Sequence, residues 1–327
     1  MITVTTEHTD KTKTLLGSLT TSLAPYLGSI DTYTTTPAGL ASSTVAEVTS
    51  ASTAAGMLEL DKSLRFFRPS GEEYLPRKMT IDGVVSSDVA MVRAAVGTKN
   101  PVLLYGPPGT GKTALMEAAC NDALTIQGTI ETETADFVGS WVQEPDGTYS
   151  WVDGPLAVAV AEGRPLIIDE IALIDPRSLA VVYGVMDGRD ELVVTQNPKR
   201  GVIKVAPGFI VLGAFNPNVP GAILSDALIS RFPVQVEVTT DWSLASKMGC
   251  STQMINIVRN LNKKAESGEI TAAPQLRELL AHKRLSEAFG ETFAISNFFG
   301  QIRPENREVV KNVIESVLGA KPVALTI

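Results

Sequence analysis

A glycine-rich octapeptide restricts the possible fold of this chain more than any other sequence feature. Residues 106–113 read GPPGTGKT, directly after the apolar run 101–105 and before the helical pattern of residues 114–119. They match G-x-x-x-x-G-K-[ST] at every fixed position, in the strand–loop–helix setting that the motif requires. In such a loop, backbone N–H groups and the helix N-terminus face bound phosphates. We therefore predict a nucleotide-phosphate site in which Lys112 reaches the β- and γ-phosphates and Thr113 holds Mg²⁺.

A pair of acidic residues supports this site. The apolar run 166–168 ends in Asp169 and Glu170. Asp169 can bind Mg²⁺ directly or through water, and Glu170 can orient and deprotonate an attacking water. For this pair taken alone, the alternative is a strand that ends in two solvated acids. The loop residues expected to contact the nucleotide are Gly106, Pro107, Pro108, Gly109, Thr110, Gly111, Lys112, Thr113 and Ala114.

Short apolar runs alternate with helical patterns through the middle of the chain. Strands separated by helices, each strand nearly all apolar, indicate a parallel sheet that is covered on both faces. The predicted strands are 101–105, 124–128, 165–169, 208–214 and 233–238. After residue 238 only helical patterns remain, and the predicted helices lie near 243–264, 274–289 and 304–318. We therefore predict an α/β nucleotide-binding domain at 61–238, followed by a small all-helical domain at 239–327.

The first 60 residues have a different composition. They are rich in Ser and Thr and offer little apolar surface to offset the entropy of ordering them. Five leucines at helical spacing could form one amphipathic stretch, namely Leu15, Leu16, Leu19, Leu23 and Leu27. This segment is either a tail or a docking element, and a flexible arm without function is the alternative. Residues 65–77 look like an ordered, irregular lead-in to the folded part.

Composition excludes several classes of function. With a net charge of −8 and no Lys/Arg-rich stripe, the chain is a poor candidate for duplex nucleic-acid binding. Its two histidines and two distant cysteines cannot supply a typical zinc site or a disulfide framework. No run approaches the roughly 20 apolar residues of a membrane span, and no secretory leader is recognisable at the N-terminus. We therefore expect a cytoplasmic protein.

Together these motifs resemble those of the AAA+ ATPases. Residues 106–113 resemble the Walker A motif of that family and residues 166–170 its Walker B motif, so ATP and Mg²⁺ are the implied ligands. Residues 213–218 (GAFNPN) close the next apolar run. The resemblance implies that Asn216 is sensor 1, which positions the hydrolytic water. An Asn-Pro turn residue is the alternative for Asn216.

The resemblance extends to two arginines. Residues 224–232 resemble the stretch that carries the arginine finger, which implies that Arg231 stabilises charge in a neighbouring subunit's site. The alternative for Arg231 is a surface ion pair. Arg277 opens a helical pattern where sensor 2 lies in the family, so it is implied to close the helical domain on the nucleotide. The alternative for Arg277 is an exposed helix charge. The catalytic residues implied in this way are Lys112, Glu170, Asn216 and Arg231.

Within this family the chain resembles the MoxR-like branch, which includes the CbbQ, NorQ and GvpN proteins. Two predicted hairpins, at 138–156 and 191–204, lie where that branch has its helix 2 insertion and the hairpin before sensor 1. The Asp146-Gly147 turn signal supports the first hairpin independently. The family implies that both face the pore of a ring. Residues 137–139 (FVG) allow a second interpretation, the aromatic pore loop of a threading unfoldase.

The resemblance covers about residues 78–327 and implies a ring, expected to be a hexamer, that uses ATP hydrolysis to remodel a partner protein. The Ser/Thr-rich N-terminus has no counterpart in the family pattern, and no Asp-x-Ser-x-Ser adhesion motif is present. A partner of the von Willebrand type would therefore be another chain. Three alternatives stay open: a nucleic-acid-handling motor, a nucleotide-dependent scaffold that hardly turns over, and the motor subunit of a metal chelatase.

Overall fold

Strands are interspersed with helices up to residue 237, and helices follow. The computed structural model describes residues 65–81, 84–217 and 219–326; the predicted N-terminal segment 1–60 and Asn218 lie outside them. The strands are β1 (Phe66–Phe67), β2 (Glu73–Tyr74), β3 (Lys78–Ile81), β4 (Val84–Ser87), β5 (Val102–Tyr105), β6 (Leu124–Gln127), β7 (Gly139–Gln143), β8 (Tyr149–Asp153), β9 (Leu166–Asp169), β10 (Glu191–Val193), β11 (Val202–Lys204), β12 (Val211–Phe215) and β13 (Val234–Glu237). The α-helices are Asp88–Gly97, Lys112–Ala119, Thr134–Val138, Pro155–Glu162, Pro176–Met186, Asp226–Ile229, Trp242–Lys247, Thr252–Glu266, Leu276–Phe289, Glu291–Gly300 and Arg307–Leu318.

Five of these strands form one parallel sheet in the spatial order β13-β5-β12-β9-β6. All five belong to segments that the apolar runs predicted. Most boundaries agree within one residue, and the largest difference is in β12, which begins at Val211 and not at Gly208. Gly208 adopts a φ of 101°, and the Phe209 amide donates to the Ala206 carbonyl, so this stretch forms a turn. The predicted fold class, a parallel α/β sheet followed by helices, is confirmed.

Helices cover both faces of the sheet. Successive side chains of a strand point to opposite faces, and in β5 Leu103 packs in one buried cluster while Val102 and Leu104 pack in another. The first face is covered by helices Thr134–Val138, Pro155–Glu162 and Pro176–Met186, and the second by Asp88–Gly97 and Lys112–Ala119. Full burial of each such aliphatic side chain stabilises the fold by about 1.5–3 kcal/mol. The sheet is therefore a rigid base for the loops at its edge.

The helical part departs from the sequence prediction in three places. The single helix expected at 243–264 is wrong, because Gly249 has a φ of 80° and Ser251 caps a new helix by accepting from the Met254 amide. A further helix, Glu291–Gly300, follows the break at Gly290. The last helix begins at Arg307, since residues 304–306 form a 3₁₀ turn. These helices share a third buried cluster.

Four antiparallel strand pairs of the described residues lie outside the five-stranded sheet; two are β1–β2 and β3–β4, and the other two are the predicted hairpins. One joins β7 to β8, with Trp141 opposite Trp151, and the other joins β10 to β11. Gly147 has a φ of 84° in the turn of the first hairpin, which suits the Asp-Gly turn chemistry. Among the helices that the structure describes, none has the length and apolar character needed to cross a lipid bilayer.

Candidate active site

A cleft of about 760 Å³ opens where the sheet meets the helical part. Its lining includes Lys112, Asp169, Glu170 and Asn216, and also apolar side chains of the helical part such as Leu276. The polar residues lie at or beyond the carboxyl ends of three neighbouring parallel strands, β5, β9 and β12. Because the carboxyl ends of parallel strands meet at one edge, ligands of α/β folds bind there. The cleft therefore lies where such a fold places a ligand.

The helical part contacts the glycine-rich loop directly. Gly109 has a φ of 78°, and a Cβ atom at this position would lie 2.9 Å from Cβ of Arg277. The Arg277 amide donates a hydrogen bond of 3.1 Å to the Gly109 carbonyl. Only glycine fits this left-handed and crowded position without strain. The first turn of helix Leu276–Phe289 therefore contacts the loop through the backbone.

The side chain of Lys112 points towards the backbone of the glycine-rich loop, and the residue is 6% exposed. Its Nζ donates to the carbonyl oxygens of Gly106 and Pro107, each at 2.9 Å, and to Oδ1 of Asn216 at 2.5 Å. Burial lowers the pKa of Lys112 to about 8, although the negative charges of Glu170 and Asp169 oppose this. A bound polyphosphate would offer the ammonium a stronger acceptor than these neutral oxygens.

Nucleotide binding is expected to take up protons near the pKa of Lys112. Part of the Lys112 population is neutral around pH 8 in the free site, and the charge of a polyphosphate would raise this pKa on binding. Calorimetric titration with ADP at about pH 8 should give apparent enthalpies that depend on the ionisation enthalpy of the buffer, and affinity should fall from about pH 8 to about pH 9. Equal enthalpies in two such buffers would contradict this coupling.

Thr113 and Asp169 form an oxygen-rich pair at the mouth of the loop. Oγ1 of Thr113 donates to Oδ2 of Asp169 at 2.7 Å. Within the described ranges no cluster of three or more His, Cys, Asp or Glu side chains could hold a metal by itself. Mg²⁺ does not need one, since it prefers one or two protein oxygens together with phosphate oxygens and waters. The donor set therefore fits Mg²⁺ held jointly with a nucleotide.

Glu170 has an unusual backbone and a perturbed carboxyl group. Its φ is 51°, in the left-handed region that residues with a side chain rarely adopt. Nδ2 of Asn216 donates to its Oε1. Burial, reinforced by the charge of Asp169, raises the pKa of Glu170. A raised pKa at a strained position is typical of functional carboxylates and suits a group that accepts a proton from water.

Of the residues predicted from sequence, Lys112, Thr113, Asp169, Glu170 and Asn216 meet in this cleft, and Arg277 lines it from the other side. The Asn216 side-chain amide links Lys112 to Glu170, since it accepts a hydrogen bond from Lys112 and donates one to Glu170.

Arg231 lies outside this cleft. Its Nε and Nη2 donate to the two carboxylate oxygens of Asp187 at 2.6 and 2.9 Å. Its guanidinium carbon lies 4.4 Å from the ring centroid of Tyr183. The side chain is therefore held on the protein surface, and within one chain it does not line the cleft.

The two hairpins contact each other. Nε1 of Trp141 in β7 donates to the Gln196 carbonyl at 3.3 Å, and Arg200 pairs with Asp153 at 2.9 Å. Phe137 is fully buried in the core, which favours the entry to an insertion over an aromatic pore loop at residues 137–139.

Sequence reasoning missed Arg77. Its Nη2 donates to the Thr110 carbonyl in the glycine-rich loop. Tyr74 and Asp88 hold the same guanidinium. The only available signal was an arginine within the lead-in segment, and nothing in the pattern indicated its partner 33 residues away.

Comparison with known proteins adds a family assignment. Residues 101–232 match the family described as "AAA domain (dynein-related subfamily)". An uncharacterized protein of Staphylococcus epidermidis is 36% identical over 143 residues, 41% of this chain and 53% of the relative, so the chain spans about half of that protein. An uncharacterized protein of Staphylococcus haemolyticus is 30% identical over 246 residues, 68% of this chain and 92% of the relative. The crystal structure of a provisionally assigned ATPase from Cytophaga hutchinsonii overlaps 71% of this chain and 82% of its own, with 17% identity and a TM-score of 0.40.

Proposed function

Because this chain belongs to the AAA+ ATPases, we propose that it hydrolyses ATP with Mg²⁺ in the cleft described above. One observation carries this proposal: Lys112, Asn216 and Glu170 are joined by hydrogen bonds beside the Thr113–Asp169 pair. A cation that can bind phosphate, a carboxylate that can accept a proton and two oxygen donors that suit Mg²⁺ thus lie in one cleft. These are the parts that phosphoryl transfer to water requires.

Each residue has a proposed role. Lys112 exchanges its loop carbonyl oxygens and the Asn216 oxygen for β- and γ-phosphate oxygens. Thr113 and Asp169 would hold Mg²⁺, which would supply positive charge to neutralise the phosphates. Glu170 accepts the proton of the water that attacks the γ-phosphorus, and the bond to the ADP oxygen breaks. Asn216 holds the Glu170 carboxylate in place, and Arg277 closes the cleft from the helical part.

We further propose that the chain is a MoxR-like AAA+ protein that works in a ring, expected to be a hexamer, and remodels a partner protein. Support comes from the two joined hairpins. Trp141 and Tyr149 are exposed on one face of the first hairpin, and Val193 and Val202 are exposed and lie opposite each other in the second. Exposed apolar side chains that lie close together favour contact with a protein. A von Willebrand-type chain is one such partner.

The nucleic-acid motor is disfavoured by charge pairing on the second hairpin. Of its three basic residues, Arg200 is paired with Asp153 and Lys204 with Glu191, at 2.9 and 2.6 Å, and Lys199 is exposed. Both cations would have to leave these carboxylates before they could neutralise a phosphate backbone. A chelatase motor subunit would use the same cleft and differ only in its partners.

The partner proposal is tested by trapping the ATP-bound state. Tagged Glu170→Gln protein is expected to retain a stoichiometric protein in its native extract when ATP is present, and to release it when ADP replaces ATP. Lys112→Ala, which lacks the phosphate-binding cation, should retain none and is the control. Recovery of nucleic acid without protein would contradict the remodelling proposal. So would recovery of the same amount of protein with ATP and with ADP.

A further inference from the structure

Two buried polar side chains and one largely buried arginine form a cluster beside the glycine-rich loop. Oη of Tyr74 donates to Oδ2 of Asp88 at 2.5 Å, and Nη1 of Arg77 donates to Oη of Tyr74 at 2.8 Å and to Oδ2 of Asp88 at 3.2 Å. The Arg77 amide donates to Oδ1 of Asp88 at 3.0 Å. The side chains of Arg77 and Asp88 are only 11% and 5% exposed. This cluster, Tyr74–Arg77–Asp88, therefore fixes the orientation of one guanidinium group.

The guanidinium group reaches from this cluster to the loop. Nη2 of Arg77 donates to the carbonyl oxygen of Thr110. Thr110 is fully buried, and its own Oγ1 donates to the Pro107 carbonyl at 3.0 Å. The planar fork of arginine can hold the cluster with one nitrogen and the loop with another. The Thr110 carbonyl is therefore held by a side chain that cannot turn freely.

Fixing this carbonyl also fixes the next amide. In a planar trans peptide, the C=O of Thr110 and the N–H of Gly111 point in opposite directions. Gly111 has a φ of 89°, and a Cβ atom there would lie 3.1 Å from Nη2 of Arg77. No acceptor from the described part of the chain is hydrogen-bonded to the Gly111 amide. That amide directly precedes the helix beginning at Lys112, where N–H groups bind anions.

We propose that Arg77 is a positioning residue of the phosphate site, which holds the Thr110 carbonyl and thereby directs the Gly111 amide at a bound phosphate. The inference rests on the proposed function, because it assumes a nucleotide in the loop. Arg77 acts through the loop backbone, and Tyr74 and Asp88 keep it in place.

The protonation of the cluster supports a permanent arrangement. Burial and the charge of Asp88 raise the pKa of Tyr74, so its hydroxyl keeps its proton and remains a donor. The hydrogen bond from Tyr74 to Asp88 therefore keeps its donor through the neutral range.

The test compares ADP and inorganic pyrophosphate as ligands of Arg77→Lys. Lysine has one ammonium group and cannot hold both the cluster and the Thr110 carbonyl. We expect the dissociation constants of ADP and pyrophosphate to rise by the same factor, about tenfold. In both cases the hydrogen bond from the Gly111 amide to a charged phosphate oxygen is weakened. Competition against a fluorescent ADP analogue measures both constants.

Arg93→Lys is the matched control. Arg93 also donates to backbone carbonyl oxygens, those of Ala118 and Ala119. These lie at the C-terminal end of the helix that begins at Lys112, far from the phosphate site. Its replacement should leave both constants unchanged while costing comparable thermal stability. Tyr74→Phe removes one support of Arg77 and keeps the buried ring, so we expect a smaller loss, about threefold, again equal for both ligands.

Three results separate the possible failures. Unchanged constants in folded Arg77→Lys and Tyr74→Phe would overturn the positioning role. A loss for ADP without a loss for pyrophosphate would also overturn it, because Arg77 would then act on the nucleoside side of the cleft. Wild-type protein that binds neither ligand would instead contradict the proposed function.

Discussion

Glu170→Gln is expected to lower ATP turnover by about 10²–10⁴-fold while ATP binding is retained. Glutamine keeps an Oε1 atom that can accept the hydrogen bond from Asn216, so the site should keep its shape. The amide cannot take a proton from water, so the attacking water is no longer activated. Phosphate release measures turnover, and titration with ATP measures binding.

The same substitution elsewhere provides the control for Glu170→Gln. Glu162 lies on the surface and pairs with Arg164, so Glu162→Gln should turn over ATP like the wild type. Near-normal turnover by Glu170→Gln would contradict the assignment of the proton acceptor. Loss of binding together with turnover would show that Glu170 holds the cleft in shape, which the proposed role does not predict.

Arg231→Ala is expected to lower turnover by about 10³–10⁵-fold, the range seen for arginine fingers. Arg231 does not line the cleft of its own chain, and its ion pair with Asp187 presents it on the surface. In the proposed ring it would reach the phosphates bound by a neighbouring copy. Removing it should therefore disable a site that its own chain does not contain.

Mixing two inactive variants distinguishes action between copies from a local structural role. Lys112→Ala lacks a working cleft but keeps Arg231, and Arg231→Ala has the opposite defect. A mixture should regain part of the wild-type turnover, because some intact clefts then face an intact arginine. Arg189 also contacts Asp187, at 3.6 Å and on an exposed side chain, so Arg189→Ala is the matched control and should stay active. A mixture no more active than its components would contradict the proposal.

Features encoded in short segments could be predicted from the sequence. The loop at 106–113 and the run ending in Asp169 each combine a local pattern with its context, and both lie in the cleft. The parallel sheet could be predicted from the sequence equally well, because its strands are continuous apolar runs buried on both faces. The split near Gly249 was overlooked because apolar spacing continues on both sides of the break.

Contacts between distant segments could not be predicted in this way. Arg77 meets Thr110 across 33 residues and Arg231 meets Asp187 across 44. Neither pair is marked by a periodic spacing of apolar residues or by a turn motif in the sequence. An arginine can bond to a carbonyl or carboxylate from any segment that lies near it in the fold. The contact between Trp141 and the Gln196 carbonyl is of the same kind, although the Asp146-Gly147 turn within one hairpin was predictable.

ATP hydrolysis in the cleft is tested most directly by the rate of phosphate release from Mg-ATP by the purified wild-type chain at increasing subunit concentration. Lys112→Ala provides the blank at each concentration, and chelation of Mg²⁺ provides the metal control. We predict Mg²⁺-dependent release above the blank, with an activity per subunit that rises with concentration as neighbouring copies supply Arg231. Release no faster than the blank at every concentration would contradict ATP hydrolysis in this cleft.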